Sequence, residues 1–174
     1  LIQDENINIP ISIDTRSSVV ADFALNNGAK IINDVSGMDY DKKIAEVVAK
    51  YNATIVIQHS KGTPKTMQNN TDYSNLIDEV YLNLLEKINY AKEVGINKII
   101  ADVGIGFGKT QKQNFELLER IEEFYSLNVP IMVGVSRKSL LNINDNDNLN
   151  NSYFKQSEKE MINITFINNS YVLI

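Results

Sequence analysis

The sequence contains no cysteine and only one histidine, His59. Without thiols the chain can form neither disulfides nor thiolate metal sites, and a single histidine excludes a multi-histidine zinc centre. No apolar run approaches the ~20 residues that a membrane-spanning helix needs, and no signal-peptide pattern opens the chain. The absence of cysteine leaves the redox compartment open. We expect a cytoplasmic protein.

The sequence also has fewer basic than acidic residues. It contains 17 Lys and Arg and 22 Asp and Glu, for a net charge of −5. This balance argues against a broad electrostatic grip on nucleic acid or on an anionic membrane. With 174 residues, 43% of them hydrophobic, we expect one domain spanning residues 1–174. The chain begins at Leu1 rather than methionine, so we expect it to be a piece of a longer protein.

Apolar runs of strand length alternate with stretches of helical periodicity, which predicts right-handed βαβ units and a parallel sheet. The predicted strands end in polar residues and cover Ile9–Ile13, Lys30–Asp34, Thr54–His59, Ile99–Asp102 and Val129–Val135. The predicted helices are Ser17–Asn27, one capped by Asp41, Ser74–Val94, and one with Phe115, Leu118, Ile121 and Tyr125 on a shared face. In the first helix we expect Val19, Val20, Phe23 and Ala24 to share the buried face.

The tail follows a different pattern. Residues 142–160 open with an asparagine-rich stretch without apolar periodicity, which predicts a flexible loop. After it, Ile162, Ile164 and Phe166 alternate, and local signals favour a hairpin with Tyr171–Ile174 as its second strand.

A glycine-rich turn follows Asp102 and fits neither of two common nucleotide motifs. A P-loop would need glycine at the position of Val103, and a dinucleotide fingerprint would need glycine at the position of Lys109. We expect the glycines to let the backbone turn sharply, while Asp102 is buried at a strand tip and must find hydrogen-bond donors. The alternative is that Asp102 only caps the next helix.

One polar residue lies at the carboxyl end of each predicted strand: Asp14, Asn33, His59, Asp102 and Lys138. Parallel strands place all these ends on one face, so we expect the side chains to converge there. Individually they have ordinary explanations, as helix caps, turn residues, a packed histidine or a solvated lysine. Together, a carboxylate and a carboxamide can recognise the donor and acceptor edge of a flat heterocycle.

The same loop that carries Lys138 also carries Arg137, and the two supply positive charge for a carbonyl oxygen or a leaving phosphate. Ser136 and Ser139 have no evident partner base, so the sequence offers no activated nucleophile. These residues therefore favour substitution between two bound molecules over covalent catalysis.

Five ordered motifs between Ile11 and Leu141 resemble the signatures of the dihydropteroate synthase family. They are IDTR at 13–16, INDVSG at 32–37, His59 with GTPKTM at 62–67, Asp102 with GIGFGK at 104–109, and GVSRKS at 134–139. The resemblance implies an α/β fold, the (β/α)8 TIM barrel, here as an incomplete barrel of about six parallel strands. It also implies a reaction that joins 6-hydroxymethyl-7,8-dihydropterin pyrophosphate to p-aminobenzoate and releases pyrophosphate, with Mg²⁺ assisting, and it makes a homodimer plausible.

The resemblance implies roles for six residues of this sequence. Asp14 and Lys138 are the expected catalytic residues, with Asp14 stabilising a cation-like transition state. The expected pterin contacts are Asp14, Asn33, Asp102, Phe107 and Lys138, and Ser139 is the expected contact of the p-aminobenzoate carboxylate. The expected Mg²⁺ ligand has no counterpart in this chain and is expected before Leu1.

The sequence also departs from the family pattern. Gln58 and Ser60 flank His59 where the family usually has methionines, and Val103 replaces a proline. The family's first two strands and its final arginine–histidine motif have no counterpart here, so we expect the chain to be poorly stable and inactive by itself. As an alternative to the hairpin, the resemblance implies that Tyr171–Ile174 is the family's last strand, cut at its tip, and that residues 161–167 before it form a helix.

Two other functions are compatible with the sequence. A methyltetrahydrofolate-dependent methyltransferase would share the pterin-binding Asp and Asn, but it has no reason to carry the SRKS loop at 136–139. An inactive, degenerate fragment would explain the asparagine-rich loop as relaxed constraint.

Overall fold

The computed structural model describes residues 9–62, 71–135 and 170–171. Strands and helices alternate along the chain through most of this range. In order they are β1 (Ser12–Asp14), α1 (Ser18–Asn26), β2 (Ile31–Asp34), α2 (Lys43–Lys50), β3 (Thr54–Gln58), α3 (Leu76–Glu93), β4 (Lys98–Asp102), α4 (Gln111–Glu119), a 3₁₀ helix (Ile121–Leu127), β5 (Ile131–Met132) and β6 (Ser170–Tyr171).

The six strands form one parallel sheet in the order β1-β2-β3-β4-β5-β6, which confirms the α/β class and the parallel topology. Sequential order with a helix in each of the first four connections is the arrangement that right-handed βαβ units produce. Within the described residues, no pairing joins β1 to β6. These residues alone therefore do not form the closed eight-stranded barrel that the resemblance implies.

The hydrophobic core lies between the helices and one face of the sheet. The strands bury Ile32, Ile55 and Ile57 on this face, and each is fully inaccessible to solvent. The longest helix, α3, buries the stripe predicted from its periodicity: Leu76, Val80, Leu84, Ile88 and Ala91. Burying a side chain of Leu or Ile size contributes roughly 1.5–3 kcal/mol, so this layer holds the helices on the sheet.

The predicted buried face of α1 was wrong at three of its four positions, since only Ala24 is buried. Val19 and Phe23 are 77% and 71% exposed, and the residues that α1 buries are Ser18, Ala21, Ala24 and Leu25. The reason is close packing between α1 and α2, because small side chains let two helix backbones approach each other. Large apolar side chains are thereby left on the outside of α1.

The predicted face of α4 was also wrong at two of its four positions. The α-helix ends at Glu119, and the chain continues as a 3₁₀ helix, so the period changes from 3.6 to 3.0 residues per turn. Tyr125, which follows this change, is consequently exposed, while Ile121 and its neighbours Leu117, Phe124 and Leu127 are buried. Phe115 lies within the α-helix and is also exposed, because α4 buries Asn114 and Leu117 instead.

The described part of the tail pairs with β5 in the parallel sense. Ser170 pairs with Ile131 and Tyr171 with Met132, both in the parallel sense, so this segment is the sixth strand of the sheet. Residues 162–168, which would form the rest of the hairpin, lie outside the described residues, as does the predicted loop at 142–160. Among the helices that the structure describes, none is long and apolar enough to cross a membrane.

Candidate active site

The register of the sheet places Asp14, Asn33 and Asp102 on one face. Asp14 pairs with Asn33, Asn33 pairs with Val56, and Gln58, two residues after Val56, pairs with Asp102. Directly paired residues, and residues two apart on one strand, point to the same side of a sheet. This side, which we call the inner face, is opposite the helix-covered core, and its polar residues lie at the carboxyl ends of β1 to β4.

Asp14 and Asn33 contact each other directly. The Asn33 Nδ2 group donates a hydrogen bond to Asp14 Oδ1 at 2.9 Å. Asn33 is buried and Asp14 is exposed, so the carboxylate is open to a ligand while the amide is held from one side. The Asn33 Oδ1 atom is buried and has no hydrogen-bond partner among the described residues. The pair therefore offers one acceptor carboxylate and one unused amide acceptor side by side.

Asp34, the next residue after Asn33, builds the turn that follows β2. Its Oδ1 accepts hydrogen bonds from Ser36 N at 2.9 Å and from Ser36 Oγ at 2.6 Å, and its Oδ2 accepts one from Met38 N at 2.8 Å. The side chain faces the core side and is fully buried. Its role is to fix the loop that carries the chain away from Asn33, as Asx turns do.

Asp102 takes a donor from the glycine loop. Its Oδ1 accepts a hydrogen bond from Gly104 N at 2.7 Å, and the residue is only 4% exposed. The alternative role, as the cap of the next helix, is wrong. Thr110 caps α4 through a capping box, with its side chain accepting from Gln113 N. Asp102 is thus a buried carboxylate at a strand tip, as the glycine pattern predicted.

His59 does not join the inner face. Its Nδ1 lies 2.9 Å from Lys109 Nζ, and the same ammonium donates to Gly104 O at 2.9 Å and to Phe107 O at 3.0 Å. Burial, followed by the charges of Lys109, Lys87 and Lys61, lowers the pKa of His59 to about 2. His59 is therefore a neutral acceptor at pH 7 and is not suited to acid–base catalysis. Its contact with Lys109 fixes the glycine loop instead.

The glycine loop passes very close to the end of β3. Gly104 has a φ of +70°, and a Cβ placed there would lie 1.8 Å from the His59 backbone oxygen. Only glycine can occupy that position without moving one of the two segments. Phe107, the expected pocket residue, lies in this loop, is partly buried and donates its N–H to Gly104 O at 3.1 Å.

A second group of contacts holds the far end of the loop. The Tyr73 hydroxyl donates to Gly108 O at 3.0 Å, and Lys61 Nζ lies 4.2 Å from the centre of the Tyr73 ring. Burial, with the nearby Glu79 carboxylate, raises the pKa of Tyr73 to about 12, so the phenol stays protonated and can donate. The loop is thereby tied to the start of α3.

Lys138, Ser139 and the neighbouring Arg137 lie outside the described residues. Within residues 9–62 and 71–135, no group of three or more acidic or histidine side chains could hold a metal ion. The Mg²⁺ that the resemblance implies therefore has no multi-carboxylate site among these described residues.

A cavity of about 580 Å³ extends along the inner face from the amino ends of the strands as far as Val56 and Met132, the register partners of Asn33 and Asp102. It is lined by residues near the amino ends of the strands, among them Ser12, Ile31, Thr54, Lys98 and Ile99. Sheets of this kind bind ligands at the carboxyl ends of their strands, so we assign the site to the polar end of the face and not to this cavity.

Sequence reasoning missed Gln58 and Lys109. Gln58 occupies the inner-face position that the sequence analysis gave to His59, and counting in steps of two from Val56 would have identified it. Lys109 was noted only as a mismatch to a nucleotide motif, because no local pattern shows that its ammonium returns to His59.

The comparisons with known proteins agree with the α/β fold of this chain. The pterin binding enzyme family matches residues 1–169, and the chain belongs to that family. The chain is 42% identical over 141 residues to the dihydropteroate synthase of Clostridium beijerinckii, a match that covers 80% of this chain and 50% of that protein. The chain thus spans about half the length of the curated relatives it matches.

Two solved structures of the dihydropteroate synthase from Thermus thermophilus have the same fold over the matched region. One is in complex with 6HMPPP and the other with 4-aminobenzoate. Each superimposes with a TM-score of 0.74 at 34% identity, covering 76% of this chain, and the match covers 53% of the first structure and 54% of the second.

Proposed function

We propose that the full-length protein is a dihydropteroate synthase, a transferase of folate biosynthesis. It condenses 6-hydroxymethyl-7,8-dihydropterin pyrophosphate with p-aminobenzoate to give 7,8-dihydropteroate and pyrophosphate. The observation that carries the proposal is the hydrogen-bonded pair of Asp14 and Asn33 on the same sheet face as Asp102. The Clostridium beijerinckii relative, with 42% identity, and the Thermus thermophilus complexes with 6HMPPP and 4-aminobenzoate support it.

The proposed reaction is a substitution at the pterin methylene carbon. The bond from that carbon to the pyrophosphate oxygen breaks, pyrophosphate leaves with the electron pair, and the amine nitrogen of p-aminobenzoate forms the new bond and loses a proton. Positive charge develops on the pterin as the leaving group departs, and a nearby carboxylate stabilises it. Asp14, which is exposed at the end of β1 and held by Asn33, is the residue that we assign to this role.

Asn33 and Asp102 are assigned to pterin recognition. The unused Asn33 Oδ1 can accept from a ring N–H or amino group, and a carboxylate such as Asp102 can accept from two donors. Phe107 would line the pocket. We assign Lys138 to the pterin and Ser139 to the p-aminobenzoate carboxylate by the resemblance alone.

Four further features belong to the same proposal. The described sheet would be part of an eight-stranded barrel, which closes only with residues beyond those described here. The full-length protein would be cytoplasmic, would use Mg²⁺ and would form a homodimer. Loss of activity in EDTA and its recovery with added Mg²⁺ would test the metal, and light scattering would test the dimer.

The proposal is tested by measuring pyrophosphate release from the purified full-length protein. Release should require both the pterin pyrophosphate and p-aminobenzoate. Replacing Asp102 by Asn keeps the size of the side chain but removes one acceptor, and should weaken pterin binding at least about tenfold, the effect of losing one charged hydrogen bond. The matched control is Asp22→Asn, which changes a surface carboxylate of α1 that forms an ion pair with Lys50 of α2. This variant should leave the rate unchanged.

Several outcomes would contradict the proposal. The wild-type protein could fail to release pyrophosphate with both substrates present, or Asp102→Asn could match the wild type. Corrinoid-dependent methyl transfer from a methylated folate would favour the methyltransferase instead.

A further inference from the structure

A polar side chain of β3 lies between the two residues assigned to pterin recognition and is not itself among the assigned binding residues. Gln58 is the last residue of β3 and is only 3% exposed. Its Nε2 atom is buried and has no hydrogen-bond partner among the described residues. A buried amide donor left unpaired costs stability, so the atom needs a reason to be there.

The side of the sheet to which Gln58 points follows from the register. Gln58 pairs with Asp102 on β4, and Val56, two residues earlier, pairs with Asn33 on β2. Gln58 therefore shares the inner face with both. Its neighbour His59 makes its side-chain contact with Lys109 instead, so the two consecutive side chains have separate environments.

The order of the strands then limits where a ligand can lie. Strand β3 is between β2 and β4, and adjacent strands are about 4.8 Å apart, so Asn33 and Asp102 stand on strands roughly 10 Å apart. A flat molecule that contacts both must cross the inner face of β3. The inner-face residues there are Val56, which offers only apolar surface, and Gln58, which offers a donor.

We infer that Gln58 is a specificity-determining residue of this site, and that its Nε2 group donates a hydrogen bond to an acceptor atom of the bound heterocycle. The acceptor is a carbonyl oxygen or an unprotonated ring nitrogen, since only those atoms of a flat heterocycle accept in the ring plane. This inference rests on the proposed function, because it takes the pterin substrate as the ligand.

Two polar atoms without hydrogen-bond partners, one on each of two neighbouring strands, support the inference. Asn33 offers an unused acceptor, Oδ1, and Gln58 offers an unused donor, Nε2, on neighbouring strands of the same face. From strand spacing and rise, their Cα atoms are roughly 8 Å apart, a distance that one bicyclic ring can bridge with its edge atoms. A pterin carries both donors, its amino and ring N–H groups, and acceptors, its carbonyl oxygen and unprotonated ring nitrogens, along its edge, so one acceptor and one donor of the protein can be satisfied by the same ring.

The test compares Gln58→Met with the wild type in the full-length protein. Methionine has nearly the same length and no amide, so it removes the donor without opening a cavity. We expect binding of 6-hydroxymethyl-7,8-dihydropterin pyrophosphate, measured by calorimetry, to weaken about tenfold, the effect of losing one hydrogen bond of typical strength. The KM for this substrate should rise by the same factor, while the KM for p-aminobenzoate and kcat stay within about twofold of the wild-type values.

A stability measurement separates recognition from a structural role. Because Nε2 has no partner among the described residues, Gln58→Met should leave the thermal midpoint of the free protein unchanged or raise it. The matched control is Ser12→Ala. The Ser12 Oγ is another buried atom without a partner on the inner face, but it lies at the amino end of β1, beside the cavity there. This variant should bind the pterin substrate as the wild type does.

The possible results point to different conclusions. If Gln58→Met lowers the thermal midpoint and leaves pterin affinity intact, Gln58 is a structural residue and the inference is wrong. If affinity and stability are both unchanged, or if Ser12→Ala weakens binding equally, it is wrong as well. A wild-type protein that does not bind the pterin substrate at all would instead overturn the proposed function itself.

Discussion

Asn33 Nδ2 donates a hydrogen bond to Asp14 Oδ1 at 2.9 Å, which joins the carboxyl ends of the first two strands through their side chains. The bond fixes the rotation of the Asn33 amide, so that its Oδ1 faces away from Asp14 and stays available. It also holds one oxygen of the exposed carboxylate. The two residues should therefore not act independently in binding or in catalysis.

This dependence predicts non-additive kinetics for the two residues. Asp14→Ala should lower kcat more than it raises the KM for the pterin substrate, because we assign Asp14 to charge stabilisation in the transition state. Asn33→Ala should mainly raise that KM. Expressed as free energies, the loss in kcat/KM of the double variant should be smaller than the sum of the two single losses. The difference should be about 0.5–3 kcal/mol, the range for residues in direct contact. If the two losses are simply additive, the 2.9 Å hydrogen bond does not contribute to kcat/KM.

Lys109 predicts a loss of stability that an exposed lysine would not give. Its ammonium, on a residue only 3% exposed, donates to His59 Nδ1 and to the carbonyl oxygens of Gly104 and Phe107. Lys109→Met removes that donor from buried acceptors, each worth about 1–3 kcal/mol when left unpaired. We expect urea unfolding to show a loss of several kcal/mol, roughly the sum for two or three such groups.

The control for this change is Lys112→Met. Lys112 is exposed near the start of α4, and its replacement should change the free energy of unfolding by less than about 0.5 kcal/mol. Equal effects of the two variants would mean that the ammonium of Lys109 contributes no more than a surface charge.

The pKa of His59 predicts how stability depends on pH. Burial and the nearby lysines, Lys109 first, lower the pKa to about 2 in the folded protein, whereas the unfolded chain titrates near the usual ~6.5. Below ~6.5 the unfolded state binds a proton that the folded state does not. The His59 contribution is therefore fully present above ~6.5 and is lost as the pH falls, by about 1.4 kcal/mol per pH unit at most.

The measurement is urea unfolding of the wild type and of His59→Gln at pH 7 and pH 5. Carboxylates titrate in both proteins, so the difference between them isolates the histidine. The wild type should lose roughly 2 kcal/mol more than the variant between these two values, from the linkage relation. Parallel losses would show that His59 has an ordinary pKa in the folded state.

Two glycines predict different costs for the same substitution. Gly104 and Gly95 both have positive φ, at +70° and +100°, but a Cβ at Gly104 would lie 1.8 Å from the His59 oxygen, whereas at Gly95 nothing lies within 4 Å. Gly95→Ala should therefore cost only backbone strain, about 1–2 kcal/mol. Gly104→Ala should cost clearly more and should also weaken pterin binding, because the loop or the end of β3 must move.

Thermal unfolding and pterin calorimetry on both variants check this prediction. Comparable midpoints for Gly104→Ala and Gly95→Ala would show that the loop can move away from β3 at little cost.

Much of the fold could be predicted from the sequence because the periodic signals are local. The strands ending at Asp14, Asp34 and Asp102, and the buried stripe of α3, follow from spacing alone. The faces of α1 and α4 could not be predicted that way. In α1 the contact with α2 selected small residues over larger apolar ones, and after α4 the change to a 3₁₀ helix shifted the period at Tyr125. Both depend on contacts or backbone geometry that no local pattern encodes.

The site was predicted in part for the same reason. Strand ends converge in any parallel sheet, so Asp14, Asn33 and Asp102 could be placed together before the register was known. Which of Gln58 and His59 points inward depends on a one-residue difference in where β3 ends, and a shift of one residue exchanges the two faces. The partners of Lys109 required the three-dimensional path of the loop.

The close approach of Gly104 to the His59 carbonyl has a consequence for protein engineering. The turn after β4 takes its shape from the tip of β3 as much as from its own residues. Transplanting residues 102–109 alone into another scaffold would leave behind the end of β3, which helps to fix their conformation. A successful graft would have to transfer both segments together and preserve the contacts that the carbonyl of residue 59 and the ammonium of residue 109 make between them.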